Sequence, residues 1–262
     1  MPRLIKTYPL EPVSYLLIVC VLLTSCGVQK QITVDPDLNN NSEKWKATVR
    51  NTVWAMTRSS FGPFRMTGYE KLDSPRLKNS SHKNISFHLF RREESFSQRK
   101  VYTLDVAGLS DTAHLLLFLW FRSKTSEPGF FSKKDNEVIS ATKDGYGEII
   151  TNKDTVPWQF RIESCDMSRY WHTEEMTKGA CGHLCYKEDS LFITPVFTFT
   201  DSRYDHYPSG KKGVVLSDKN GKPVASLQLT DNNYVWIRKD LPDKTQLAIA
   251  SLFAVMLGTK DL

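Results

Sequence analysis

Residues 247–257 read Leu-Ala-Ile-Ala-Ser-Leu-Phe-Ala-Val-Met-Leu, ten of eleven of them apolar. On a 3.6-residue repeat such a segment has no polar face, and a helix that is apolar all round is buried all round. The flanks carry helix punctuation. Asp240-Leu241-Pro242-Asp243 supplies Asp240 or Asp243 as a cap and Pro242 for the first turn, and Gly258 supplies a stop. Eleven residues rise only about 16 Å, too little for a hydrocarbon core about 30 Å thick. The remaining way to bury the helix is to surround it with sheet.

The rest of the chain offers that sheet. Strand candidates recur at short spacing between Gly, Asn, Asp and Pro clusters, at residues 45–56, 86–90, 101–106, 137–142, 158–162, 191–199, 213–216, 224–229 and 234–237. Phe197-Thr198-Phe199-Thr200 alternates with period two, and Asn220-Gly221 between two apolar runs reads as a hairpin turn. Asp231-Asn232-Asn233 marks a further turn one strand later. Residues 114–122 hold seven successive apolar residues, Leu115 to Phe121. Leucine favours a helix there, whereas the aromatic content and short length favour a strand covered on both faces. The expected fold class is mostly β, an antiparallel barrel or sandwich with a buried apolar C-terminal helix.

A meander of strands followed by a wholly apolar terminal helix resembles the tubby C-terminal-like barrel family, over about residues 213–262. In that family a closed sheet wraps a central hydrophobic C-terminal helix, so the resemblance implies a barrel with an axial helix. It rests on element order and composition, and it carries no binding residue across.

The N-terminus addresses the chain. Arg3 and Lys6 form a basic start, and residues 13–23 are apolar but for Ser14. A short apolar run with basic flanks is an export signal rather than a membrane span. It ends in Leu23-Thr24-Ser25-Cys26, which resembles the bacterial lipobox. That resemblance implies diacylglycerol on Cys26, cleavage before it, acylation of the new amine, and hence a palmitate-bearing membrane lipoprotein. Several acyl chains, at about 0.8 kcal/mol per buried methylene, anchor durably. Gly27 in place of an acidic residue points to the outer membrane, and the lack of a following acidic cluster to its periplasmic side. Residues 1–25 thus form a lipoprotein signal peptide, residues 26–43 a polar lipidated tether, and residues 44–262 one β-rich globular domain. The formal charge of +6 falls to about +5 once Arg3, Lys6 and Glu11 leave with the signal. That balance suits anionic headgroups. No basic run interleaves with aromatics, so nucleic acid is not an expected partner.

Chemistry is harder to read. The densest polar cluster spans Cys165, Asp166, Met167, His172, Glu174, Glu175, Met176, Cys181, His183 and Cys185. Its ligand types suit zinc or copper, but the spacing matches neither a CxxC pair nor a haem-attachment motif. An oxidising compartment favours one disulfide plus one leftover thiol among Cys165, Cys181 and Cys185, with the pairing open. No metal site or cofactor is expected. Serine-hydrolase elbows and phosphate loops are absent, the six histidines are scattered, and Glu93-Glu94 and Glu174-Glu175 would point to opposite faces of a strand. No catalytic residue is therefore assigned. The aromatic segment 204–210 has the composition of a binding loop or of a packed turn. The expectation is a membrane-anchored envelope protein, without enzymatic activity, that binds a small ligand or an envelope protein. The alternative is an envelope hydrolase or metal-handling protein built on the 165–185 cluster.

Overall fold

The computed structural model describes residues 30–51, 57–72, 82–84, 91–128, 137–163, 181–201, 212–230 and 232–258, and among the described residues it has fourteen strands and two helices. In chain order they are α1 (Pro36–Asn41), β1 (Ser42–Lys46), β2 (Thr48–Asn51), β3 (Thr57–Phe61), β4 (Phe64–Leu72), β5 (His82–Asn84), β6 (Arg91–Gly108), β7 (Asp111–Pro128), β8 (Glu137–Thr151), β9 (Trp158–Glu163), β10 (Gly182–Tyr186), β11 (Asp189–Val196), β12 (Gly213–Ser217), β13 (Pro223–Gln228), β14 (Tyr234–Arg238) and α2 (Asp243–Gly258). The chain divides into residues 1–30 and 31–262, and every described element belongs to the second unit. Within it no helix is long and apolar enough to cross a membrane, among the described residues.

Alternation builds the sheet. Trp158, Phe160 and Ile162 of β9 are buried while Gln159, Arg161 and Glu163 are exposed. Residues 102, 104, 106 and 108 of β6 and 113, 115, 117 and 119 of β7 point inward in the same way. Tight turns join neighbours: Leu109-Ser110 between β6 and β7, Gly62-Pro63 between β3 and β4, and Asp218 to Lys222 between β12 and β13. The last is the Asn220-Gly221 turn expected from sequence. Gly221 takes φ 79°, and the Asp218 carboxylate accepts from the backbone N–H groups of Asn220 and Lys222.

The pairing order runs β1-β14-β13-β12-β11-β10-β9-β8-β7-β6-β4-β3-β2, with β5 paired separately to β6. All the pairs are antiparallel. The two ends of this path, β1 and β2, are consecutive in the chain and separated only by Ala47, whose N–H donates to the Asn233 carbonyl. One extended segment therefore faces both margins of the sheet, and the sheet is a nearly closed barrel.

Helix α2 fills it. Every residue from 247 to 257 is buried, and the helix touches β3, β4, β6, β7, β8 and β14. Seven of these are large apolar side chains, and at about 1.5–3 kcal/mol each their burial is worth on the order of 10–20 kcal/mol. That matches or exceeds the net stability of an ordinary domain, so the helix and the barrel are mutually required. The start of the helix differs in detail from expectation. Asp240 is held by Arg238, Nε to Oδ1 at 2.9 Å and Nη2 to Oδ2 at 2.7 Å, and caps nothing. Pro242 supplies the first helical carbonyl, to Gln246 N–H at 3.0 Å.

Residues 114–122 are a strand, part of β7. Leu115, Leu117 and Leu119 face the core, and Phe118 on the outer face stacks on Tyr146 of β8 at 5.1 Å. The expected strand 45–56 divides at Ala47 into β1 and β2, with 52–56 outside the described residues, as is the expected strand 86–90. The expected strand 191–199 ends at Val196, and Phe199 instead forms an isolated bridge to Ile32.

That bridge belongs to a second small core. Residues 31–43, read from the sequence as part of a tether, pack on the barrel. Ile32, Leu38, Phe199 and Trp236 form a buried cluster on the outside of β13 and β14. The Ile32 N–H donates to buried Gln228, and Asp35 caps α1 by accepting from Asp37 and Leu38 N–H groups, with Pro36 in the first turn.

Candidate functional site

The barrel interior is occupied by its own helix, and one surface concavity lies outside, on the three-strand corner β2-β3-β4. A groove of about 520 Å³ is lined there by Thr48, Arg50, Arg58, Ser59, Ser60, Arg65, Met66 and Thr67. Strand alternation explains its composition. Thr48, Arg50, Arg58, Arg65 and Thr67 are exposed and Ser60 half-buried, while Ser59 and Met66 alternate to the buried inner face. The outward positions form three pairs two residues apart, each an arginine with a hydroxyl: Thr48/Arg50, Arg58/Ser60 and Arg65/Thr67.

Register brings the pairs together. Arg50 lies directly opposite Arg58, Thr48 opposite Ser60, and Ser60 opposite Arg65. Residues directly opposite have Cβ atoms about 4.5–5.5 Å apart, and like charges so placed repel. Gly62 fixes the turn that sets this register. Its φ is 52°, and a Cβ there would strike the Trp45 ring. On β4 the register to β6 shifts between Met66 and Gly68, a bulge that singles out Thr67, whose hydroxyl donates to the Asp105 carbonyl at 3.4 Å. Bulges re-aim side chains and concentrate beside binding sites.

The other arginines with described side chains are engaged. Arg122 pairs with Asp144 at 2.7 Å, Arg161 with Glu163 at 3.0 Å, and Arg238 with both Asp37 and Asp240. Arg99 lies over the Trp120 ring. Among the described residues Arg50, Arg58 and Arg65 have no ion pair or side-chain hydrogen bond, and no carboxylate lines their groove. Asp105, on the adjoining strand β6, is occupied by His114, Oδ1 to Nδ1 at 2.7 Å. The Ser59 hydroxyl, buried without a hydrogen-bond partner, alternates to the inner face and is not part of this array. Three guanidinium groups and a set of hydroxyls, all on paired strands, form a rigid donor array that suits an anion.

The residues singled out from sequence fall elsewhere. Cys26, Cys165, the rest of the cluster from 166 to 180 and the segment 204–210 lie outside the described residues. Cys181 is disulfide-bonded, its partner also outside them. Cys185, on β10, keeps a free thiol with its sulfur 3.3 Å from the Ser190 hydroxyl. Among the described residues no group of three His, Cys, Asp or Glu side chains is placed to hold a metal. Elsewhere, half-buried Tyr69 and buried Tyr102 form a pair: burial raises both hydroxyls above their ordinary range, and their rings lie 5.3 Å apart. The groove arginines went unremarked in the sequence because seven and six residues separate them. The repeated arginine–hydroxyl spacing on either side of Gly62-Pro63 is the signal that marks them. No family model, curated protein or solved structure matches this chain.

Proposed function

We propose that this is a lipid-anchored protein of the bacterial cell envelope whose barrel binds an anionic ligand or partner on its outer surface and performs no chemistry on it. Cys26, in its lipobox-like context, provides the anchor to a membrane, and the outer membrane facing the periplasm is the proposed location. The observation that carries the binding role is the groove of Arg50, Arg58 and Arg65 on β2-β3-β4. Guanidinium groups stay charged at every physiological pH and cannot exchange protons there, so the array holds an anion rather than moving a proton. The axial helix supports the same reading, since it takes the interior volume that lipocalin-like barrels give to ligands. It also supports the tubby-like architecture proposed from element order. An oxidised Cys181 offers no thiolate to a metal ion, which weighs against the metal-handling alternative.

The test has two arms. Palmitate labelling of intact cells is expected to mark the native protein and not a Cys26→Ser variant. Equal labelling of both overturns the anchor. Capture from envelope extracts by the form beginning after Cys26 is expected to yield an acidic partner or ligand that an Arg50→Gln/Arg58→Gln double variant fails to retain. Turnover of an envelope polymer by both forms alike overturns the binding role.

A further inference from the structure

We infer that the β2-β3-β4 groove is a site for a phosphate monoester carried on a sugar-sized body. The inference rests on the binding role above and names its ligand class. Its first support is charge. Arg50 and Arg58 are held face to face by the strand register, and Arg65 on β4 is the diagonal neighbour of Arg58 on β3. Diagonal neighbours on adjacent strands lie about 7–8 Å apart. A single carboxylate has two oxygens and is satisfied by one bidentate arginine. Three guanidinium groups so close match a group with more oxygens and more charge. A phosphate monoester presents three terminal oxygens and about −1.5 to −2 charges at neutral pH.

The second support is the uncompensated state of the array. Among the described residues no carboxylate neutralises it, although the other arginines with described side chains each have an acidic or aromatic partner. Repulsion between opposed like charges is tolerated in a folded protein where a ligand relieves it. The third is size and lining. A groove of about 520 Å³ lies in the range of sites for drug-sized ligands, about 300–1,000 Å³, and so exceeds the need of a bare ion. The hydroxyls of Thr48 and Ser60 stand among the arginines on the outer face, as donors and acceptors for the hydroxyls of a sugar-like body. The Thr67 hydroxyl is directed instead to the Asp105 carbonyl, so the bulge shapes the rim rather than contacting the ligand.

The ester can arrive on a soluble sugar or on a lipid headgroup, and the experiment separates the two. Calorimetric titration of the form beginning after Cys26 uses glucose 6-phosphate, glucose 6-sulfate, glucuronate and glucose. Flotation uses phosphatidylcholine vesicles with or without phosphatidic acid. Glucose 6-phosphate is expected to bind, and its affinity to rise between pH 5 and pH 7 as the second phosphate proton leaves near pH 6. The sulfate ester, with no such proton, serves as the flat reference. Arg50→Gln and Arg58→Gln are each expected to weaken phosphate binding about tenfold or more. Both are expected to leave the melting temperature unchanged or slightly raised, because each removes one of two opposed charges. Arg58→Lys keeps the charge but loses the fork, and is expected to fall between. Flotation with phosphatidic acid that needs the same arginines assigns the lipid source, and sugar phosphate binding without flotation assigns the soluble one; both uphold the ester. Arginine-dependent binding of glucuronate with none of the phosphate overturns this inference and leaves the groove as an anion site. No binding of any anion overturns both.

Discussion

Four positions on α2 quarter its circumference. At about 100° per residue, Leu252, Phe253, Leu247 and Val255 project at roughly 0°, 100°, 220° and 300° around the axis. All four are buried. A helix on the barrel axis makes each of them costly to truncate, whereas a helix lying on one open sheet spares the position turned outward. Leu247→Ala and Leu252→Ala are expected to cost about 2–5 kcal/mol each and Phe253→Ala about 3–5. Val255→Ala removes two methyl groups, at about 0.8 kcal/mol each plus the cavity left behind, so about 2 kcal/mol. Urea unfolding followed by tryptophan fluorescence measures these losses. With a slope near 3 kcal/mol per molar, a loss of 3 kcal/mol moves the midpoint by about 1 M at unchanged slope. Phe192→Ala is the control. Phe192 is 42% exposed on β11, and its truncation is expected to cost less than any of the four. Any α2 position that costs under about 1 kcal/mol, or no more than Phe192→Ala, refutes an axial helix.

Three further outcomes follow from particular contacts. Hydrogen bonds from Arg238 hold the Asp240 carboxyl below its usual range. A depressed folded pKa stabilises above the unfolded value near 4 and is lost as pH falls through the folded one. Asp240→Asn is therefore expected to cost about 1–2 kcal/mol at neutral pH, Asp240 being largely exposed, and progressively less in acid; a cost independent of pH refutes the pairing. Gly62→Ala is expected to lose more stability than Gly221→Ala. Both residues have positive φ, but a Cβ at 62 strikes Trp45 while one at 221 meets nothing; equal losses in thermal melts contradict the packing. Peptide mapping without reductant is expected to find Cys181 joined to Cys165, because Cys20 leaves with the proposed signal, Cys26 carries the proposed lipid, and Cys185 is free. Reduction of that loop of roughly 16 residues costs about 3 kcal/mol. A disulfide that includes Cys185 defeats the assignment.

What was legible in the sequence had strong local periodicity. The axial helix announced itself because ten of its eleven central residues are apolar, and β9 because Trp158, Phe160 and Ile162 alternate with polar residues. The turn at Asn220-Gly221 carried its own chemistry. The outer half of β6 was not legible, nor were residues 143–151 of β8 beyond the expected strand 137–142. Segments such as Ser95-Phe96-Ser97-Gln98 have almost no apolar alternation, and they are strands because long cross-strand pairing to β7 holds them. The packing of residues 31–43 was missed because three separated apolar residues, Ile32, Val34 and Leu38, resemble a linker until Trp236 and Phe199 give them a surface. The groove escaped for a different reason. Arg50, Arg58 and Arg65 are unremarkable along the chain and become neighbours only through the registers of β2 with β3 and β3 with β4.

Amide hydrogen exchange with and without saturating glucose 6-phosphate tests most directly whether a filled barrel binds its ligand on the outside. Added protection is expected over residues 48–51 and 57–67, with α2 and the strands β12 to β14 unchanged. Protection centred on α2 or on the 181–186 strand, with the arginine corner unaffected, contradicts the account.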